Sequence, residues 1–357
     1  MKQKTINTLR CTLRSSYYKS KHYENLITNY TRLILDDLQN GDVESTLGEK
    51  FQYWRKGFTS QEANLFNFDK HNHKDYISGH DLSMYRAGIN HNTFTKNKVA
   101  FYHLINKNHS NLVPNIYGVL NKRDVHSIDG EYLANDVKSW LEKILQYNGT
   151  LVCKPIEGWG GKEIHIVRNE TDAQEFIKPG IDSEYMIMEY IKPSKYIRNI
   201  YPNSANAVRI TTIWDYERNK PFIGCANQRI GTDLSAPADN FTAGGLSAQI
   251  NRSSGKLSKA AMISKNEIEW HSKHPNTGNQ IEGIIVKDWE EVKSKILDVT
   301  KQLNYIPLIS WDLIISNDGL KVLEGNAVPG FKTEQVHKPL LSDERIRRYF
   351  VETGIDV

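Results

Sequence analysis

Residues 308–326 read LISWDLIISNDGLKVLEGN, two apolar runs separated by Asn317-Asp318-Gly319. Apolar, β-branched runs on either side of such a turn mark a β-hairpin. A three-residue loop ending in glycine is a type I turn closed by a left-handed residue. It pairs Ser316 with Leu320 and, counted outward, Asp312 with Glu324. Asn326 lies two residues on and shares the face of Glu324. Directly opposed side chains have Cβ atoms about 4.5–5.5 Å apart. Two carboxylates and an amide oxygen thus converge at Asp312, Glu324 and Asn326, with no counter-charge evident nearby in the sequence. Hard oxygen donors at this spacing suit Mg²⁺, which keeps several waters and bridges to phosphates. A solvated polar face of a two-stranded ribbon would also account for Asp312. It does not account for a Glu-Gly-Asn ending followed by Ala327-Val328-Pro329-Gly330. A loop of Asp318-Gly319 alone would turn Asp312 to the opposite face.

Working back along the chain, residues 151–167 read LVCKPIEGWGGKEIHIV. A strand delivers Lys154 and Pro155 to a loop holding Gly158, Gly160, Gly161 and Lys162, and a second strand returns. Glycines let backbone N–H groups approach an anion, and a lysine at the loop edge supplies charge. The spacing is neither that of a P-loop nor that of a dinucleotide fingerprint. A hairpin flap over phosphates and a plain glycine-rich surface turn both fit. In MIMEYIKP, an apolar strand ends at Glu189-Tyr190-Ile191. Peptide groups at such an exit can read an adenine edge, and the carboxylate can take ribose hydroxyls, although Glu189 also fits an exposed strand end. In NAVRITTIW, Arg209 among strand residues is costly to bury alone and calls for an anion or a carboxylate.

The remaining pattern sets the class. Leu26, Ile27, Tyr30, Leu33, Ile34 and Leu38 recur at helical spacing, with Gly41 as a stop. A helix is expected from an N-cap at Thr95 towards Asn106, and another from Asp136 to Gly149 with Trp140, Leu141, Ile144 and Leu145 on one face. After residue 150 the expected strands are 151–154, 163–167, 186–191, 208–214, 222–228 and 246–250. Thr171-x-x-Gln174 reads as a capping box, and Asp288-x-x-Glu291 opens a helix with Val292, Ile296, Val299 and Leu303 inward. Strands linked mostly by hairpins, with helices between, give an α+β fold.

Composition narrows the function. The 357 residues are 39% apolar and 25% charged, a globular balance that excludes disordered, collagen-like and coiled-coil classes. Lys and Arg number 46 against 42 acids, too small an excess for a dedicated nucleic-acid binder. Cys11, Cys153 and Cys225 are too dispersed for a disulfide framework or a zinc module, which suits a reducing compartment. No run is apolar enough to span a bilayer and the start is no secretory signal, so a cytoplasmic location is expected. Lys2, Lys4, Arg10, Arg14, Lys19 and Lys21 precede the first acid, Glu24. They read as a solvated terminus or, at most, as a peripheral contact with an anionic surface.

Taken together, these motifs resemble the ATP-grasp superfamily and, within it, the sugar-transfer-associated ATP-grasp family, over roughly residues 50–335. Lys98 in TKNKVAF and Lys154 in VCKP resemble the two nucleotide-binding lysines. EGWGGK resembles the mobile loop and MEYI the adenine hinge. NSANAVRITT is similar to the segment that carries the arginine, with Ala207 where threonine is usual. ADNFTAGG and HPNTG resemble two further family blocks, with Asn276 where an acid is common. Asp312, Glu324 and Asn326 fall on the metal ligands.

The resemblance implies an ATP-grasp fold, two α+β subdomains clasping ATP, here 96–188 and 189–357, behind a helical region 1–95. It implies ATP and Mg²⁺ as cofactors. It also implies a carboxylate–amine ligase working through an acyl phosphate, with Arg209 and Lys154 at the reacting groups. The carboxylate would be a small molecule or sugar-linked, such as a uronic acid, and polysaccharide biosynthesis proteins would be partners. A phosphotransferase on the same scaffold and a nucleotide-binding scaffold protein are the alternatives. Tyr53, Trp54, Phe58, Phe66, Phe68, Tyr76 and Tyr85, with Arg55, Lys56 and Arg86, either stack on a sugar acceptor or fill a small core.

Overall fold

A computed structural model describes residues 27–39, 45–81, 93–121, 124–158, 163–178, 183–265, 267–327 and 329–355. Within these, the strands form a six-stranded and a seven-stranded sheet. The first has the order β3-β2-β1-β6-β4-β5 and consists of β1 (Ile116–Asn121), β2 (Asp124–His126), β3 (Tyr132–Ala134), β4 (Leu151–Pro155), β5 (His165–Val167) and β6 (Glu184–Glu189). The second has the order β11-β10-β9-β8-β7-β12-β13. It consists of β7 (Val208–Asp215), β8 (Lys220–Ile230), β9 (Leu246–Ile250), β10 (Leu257–Ser264), β11 (Glu267–His271), β12 (Leu308–Ile315) and β13 (Leu320–Asn326). Neighbours pair antiparallel, as in β1 with β6 and β7 with β12. This is the α+β class expected from the sequence.

The chain divides into two compact units. One comprises Met1–Asn90, Ser264–Ile268 and Gly330–Val357; the other comprises His91–Ile263 and Glu269–Pro329. The first is helical, at 27–39, Leu47–Trp54, Ser60–Leu65 and Glu344–Glu352. Thr46 with Glu49 and Thr59 with Glu62 form capping boxes that start two of these helices. Phe58, Phe66, Phe68 and Tyr76 pack ring on ring, and Phe58, Phe66 and Tyr76 are buried. Their contact with one another decides for core-filling at Phe58, Phe66 and Tyr76, since buried rings offer no face to a ligand, while Tyr53, Trp54 and Phe68 are half-buried. Tyr85 and Arg86 lie outside the described residues, as does the basic segment 2–21.

The second unit carries the first sheet and the strands that bear the site. One hydrophobic cluster takes in Phe101, Tyr102 and Ile105 of helix Lys98–His109, Met186 and Met188 of β6, and Ile309, Trp311 and Leu313 of β12. A second cluster, with Leu120, Leu141, Leu145, Leu151 and Phe176, seats helices Val137–Asn148 and Glu170–Ile177 on the first sheet. Asp136 caps the former at Ser139 N–H and Gly149 closes it at φ 72°, as the sequence predicts.

Local details depart from expectation. The cap of helix Glu170–Ile177 is Asn169, which accepts from Asp172 N–H, so Thr171 lies inside the helix. Asn97, not Thr95, caps helix Lys98–His109. Asp288 stands at a left-handed N-cap whose side chain accepts from Lys287 Nζ and makes no capping bond, yet Val292, Ile296, Val299 and Leu303 are buried as the spacing predicts. Strands β1 to β3 lie between the two expected helices, where the sequence marks no element, because short, half-exposed strands show little alternation. No helix among the described residues is long and apolar enough to cross a membrane.

Candidate active site

Asp312 pairs with Glu324, as the sequence predicts, but by a different route. At the turn Ile315 faces Leu320 and Ser316 N–H donates to Gly319 O, so the loop is Asn317-Asp318, one residue shorter than expected. A bulge at Leu323 then inserts one residue between the Leu313–Val322 and Asp312–Glu324 pairs and restores the facing. The Leu323 carbonyl accepts a hydrogen bond from Lys154 Nζ at 3.0 Å. The bulge therefore both aims Glu324 and anchors a lysine from the other sheet. Between Glu324 and Asn326, a Cβ on Gly325 would come within 2.7 Å of Phe101, so glycine lets β13 lie against helix Lys98–His109.

That helix begins at Lys98, which is buried, with its backbone N–H and its ammonium both directed to Ile156 O, at 3.1 and 3.4 Å. The helix N-terminus carries partial positive charge, and no acid sits in its first turn. A lysine buried there violates local electrostatics, which is common where an anion is to be received. Burial lowers the Lys98 ammonium, offset by the charges of Glu324 and Glu157. Burial brings Lys154 down to about 8, against the pull of Glu324. The Lys154 ammonium stands 5.4 Å from the centre of the Tyr102 ring.

Asp312 is 4% exposed and strongly ionised. Burial works against its charge, but Arg209 and Arg229 hold it far below the usual carboxylate range. Arg209 Nε and Nη2 each donate to it at 2.7 Å, and Arg229 Nη1 donates at 3.3 Å. This corrects the expectation that no counter-charge is near. β7 is the other neighbour of β12 and sets Arg209 directly opposite Asp312, a contact that hairpin arithmetic does not reveal. Glu324 is raised, first by burial and then by Asp312, with Lys154 and Lys98 opposing. Asn326 Nδ2 lies 3.4 Å from Glu324 Oε1.

Two carboxylates and one amide on a shared face are a hard-oxygen donor set, and the upward shift of Glu324 marks a crowded pair that a divalent cation would relieve. The set fits Mg²⁺ completed by water and phosphate oxygens. Among the described residues, no three His, Cys, Asp or Glu converge as a metal cluster, so the fit depends on Asn326.

Lys98, Lys154, Arg209, Asp312, Glu324 and Asn326 thus meet in one region. Glu189 lies at the end of β6, where it accepts from Asn115 Nδ2 at 2.6 Å and faces Lys321 Nζ at 4.0 Å. Tyr190 and Ile191 follow it, half-buried, towards the Pro193–Ser316 bridge that joins this exit to β12. Gly158 closes the described part of the loop, and Gly160, Gly161 and Lys162 lie outside the described residues. Sequence reasoning missed Arg229 and Asp239, whose guanidinium and carboxylate pair at 2.8 Å. Ending the strand at Gln228 hid Arg229, though an arginine in a strand is the same signal that marks Arg209.

Residues 176–346, just under half of the chain, match the family described as Sugar-transfer associated ATP-grasp. The match takes in Glu189, Tyr190, Ile191, Arg209, Asp312, Glu324 and Asn326, and leaves Lys98 and Lys154 outside. No curated protein matches. Among solved structures, the D-alanine–D-alanine ligase of Coxiella burnetii is similar at 13% identity over 72% of this chain and 58% of that one, with a TM-score of 0.38. The VanG D-Ala:D-Ser ligase of Enterococcus faecalis is similar at 10% identity over 73% and 62%, with a TM-score of 0.42. The D-alanyl-alanine synthetase A of Vibrio cholerae is similar at 11% identity over 76% and 68%, with a TM-score of 0.41. The chain thus spans less than two thirds of the first two.

Proposed function

Starting from the match of residues 176–346 to the sugar-transfer associated ATP-grasp family, we propose that this chain is an ATP-dependent carboxylate–amine ligase. The observation that carries the reading is a pair of buried lysines, Lys98 and Lys154, with lowered ammonium pKa values, facing Glu324 beside the Asp312–Arg209 pair. Buried cations in excess are stabilised by a polyanion, and a nucleotide triphosphate supplies one.

In this reading the region 189–191 takes the adenine and ribose, and Lys98 and Lys154 contact the phosphates. The loop with Gly158, Gly160, Gly161 and Lys162 covers the phosphates and keeps water from the intermediate. A substrate carboxylate oxygen attacks the γ-phosphorus, the bond to the bridging oxygen breaks, and ADP leaves with that electron pair. An amine then attacks the acyl carbon, phosphate departs and the amine loses a proton. Arg209 steadies the acyl phosphate and no side chain serves as nucleophile. Asp312, Glu324 and Asn326 would hold Mg²⁺, which supplies neutralisation of phosphate charge.

In this reading the two nucleotide-clasping subdomains are 96–188 and 189–357, with 1–95 as a helical addition to which the segment 330–357 is joined in one compact unit. We place the enzyme in the cytoplasm, acting on a uronic acid or another sugar-linked carboxylate and an amine, alongside polysaccharide biosynthesis proteins. The test is ADP release over a panel of uronic acids and amines, with mass spectrometry of the products. An amide with ADP and phosphate is expected. A phosphorylated product without an amide, or no ADP release with any pair, would overturn the reading.

A further inference from the structure

The ends of the two arginine-bearing strands are tied by a buried polar knot that the ligase reading does not use. Gly231 follows Arg229 by two residues. Its N–H donates to Asn206 Oδ1 at 3.0 Å, and its carbonyl faces His274 Nε2 at 2.8 Å. A Cβ on Gly231 would stand 2.4 Å from the Ser204 side chain, so this peptide sits where only glycine fits. Asn206, left-handed at φ 49°, also donates to Tyr201 O at 2.7 Å and precedes Ala207, Val208 and Arg209.

His274 is 1% exposed and its ring stacks on Tyr201, with centroids 4.8 Å apart at 19°. A carbonyl only accepts, so Nε2 carries the proton towards Gly231. Nδ1 accordingly accepts from Asn276 N–H and Thr277 N–H, at 3.3 and 3.4 Å. Every polar atom of the neutral ring has work, and the segment 274–278 is folded around it, with Thr277 Oγ1 bonded to Ile200 O.

We propose that His274 is a positioning residue for Arg229: its neutral ring fixes the Gly231 peptide and thereby the reach of Arg229 towards Asp312. The bearing of this on catalysis rests on the ligase reading; the geometry does not. Arg229 depends on its own backbone for that reach. Its N–H is bonded to Ala207 O at 2.8 Å, and its guanidinium is shared between Asp239 and Asp312.

Protonation at Nδ1 would set a donor against two backbone N–H groups and break the knot. The titratable groups facing the ring are Tyr201, whose hydroxyl donates to Asp233, then Asp233 itself and His271. Burial lowers the His274 pKa most, with Gly231 and Asp233 opposing and His271 assisting. A histidine lowered in the fold contributes its stability above the ordinary value near ~6.5 and loses it as pH falls below.

The experiment observes the arginine Nε–H signals of the full chain labelled with ¹⁵N-arginine and ¹⁵N-histidine, and reads their protection from hydrogen exchange at pH about 7.5 and at the lower pH where the His274 ring nitrogens themselves report protonation. In the wild type, the protection factor of Arg229 Nε–H, directed at Asp239 O, is expected to fall about tenfold at the lower pH, as for the loss of a buried hydrogen bond. Arg209 Nε–H, held by Asp312, should keep its protection and serves as internal reference. His274→Gln keeps a donor for Gly231 O but does not titrate, so protection at Arg229 should hold at both pH values. His274→Phe keeps the stacking on Tyr201 and loses both nitrogens, so protection should be low at both. If His274→Phe does not fold, the wild type against His274→Gln decides. Protection of Arg229 that is flat with pH in the wild type overturns the proposal, as does protection unchanged in His274→Phe. Absent ADP release would remove the ligase reading and leave these signals interpretable.

Discussion

Two buried aspartates, one in each compact unit, show how alike a structural acid and a site acid look in sequence. Asp37, 2% exposed, accepts from Ser60 N–H at 2.8 Å, Ser60 Oγ at 2.6 Å and Trp54 Nε1 at 2.7 Å. All three donors are neutral and no second acid shares them, so Asp37 binds helices Leu47–Trp54 and Ser60–Leu65 to the segment 27–39. Asp312 is equally buried, but its donors are two arginines and its neighbour is a second acid. A carboxylate satisfied by neutral donors is a strut. One held by guanidinium groups next to a raised Glu324 belongs to a site whose charges are balanced only when something else arrives.

The largest effect that separates the two is at Glu324. Glu324→Ala should lower turnover by about 10³-fold or more, as for loss of a group that stabilises transferring phosphate. Its melting temperature should stay level or rise. A carboxyl raised in the fold contributes stability only below its unfolded value and loses it as pH climbs through the folded value, so at neutral pH Glu324 is a liability. Steady-state ADP release and thermal melts at neutral pH check both halves. Near-wild-type turnover would remove Glu324 from the site.

Asp37→Ala should do the reverse. Three buried donors lose their acceptor, at a cost of about 3 kcal/mol or more in unfolding free energy. The kinetic constants of the folded fraction should not change. Denaturant titration with kinetics on the same preparation reads both. A specific loss of turnover without a loss of stability would erase the distinction drawn between the two acids.

The hairpin shows how far the sequence reaches. Asp312 and Glu324 were legible as partners because alternation along β12 and β13 is strong and both carboxylates needed one face. The Asn-Asp-Gly signal predicts a turn one residue longer than the one that forms, and the bulge at Leu323, which no propensity marks, brings the two carboxylates back opposite each other. Arg209 was legible as a paired cation but not as the partner of Asp312, since strand order within a sheet is set by packing at long range rather than by local pattern. Arg229 is hidden by an expected strand end two residues short of the actual one, and Asp239 stands in a loop that no strand signal marks. The aromatic residues of the helical unit could have faced a ligand or each other, and only packing decides for Phe58, Phe66 and Tyr76.

Lys154→Met carries a middle-sized effect. It should weaken binding of a non-hydrolysable ATP analogue by ~1.5–3 kcal/mol, the worth of a charge-assisted contact. Stability should not fall with it, because methionine spares the fold a buried ammonium while keeping the packing over Tyr102. Calorimetry and a thermal melt on one sample settle it. Unchanged affinity would turn Lys154 into a strut like Asp37, held in place by Leu323 O alone.

The smallest effect is a proton. Lys154 is lowered to about 8 by burial, whereas the lysine beside Asp37, Lys50, donates to its backbone carbonyl and not to a carboxylate. A lysine lowered in the fold contributes full stability above its unfolded value near ~10.4 and loses it as pH falls through the folded value, so at neutral pH the empty site bears the cost of an ammonium. Phosphates arriving beside it favour the charged form and draw its pKa back up. Nucleotide binding near pH 8 should therefore take up a fraction of a proton, and affinity should decline as pH rises above about 8. Calorimetric titrations of Mg-ADP in buffers of different ionisation enthalpy measure the uptake. It should vanish in Lys154→Met and persist in Asp37→Ala. Proton uptake that survives in Lys154→Met would move the titrating group to Lys98, the other ammonium that burial lowers.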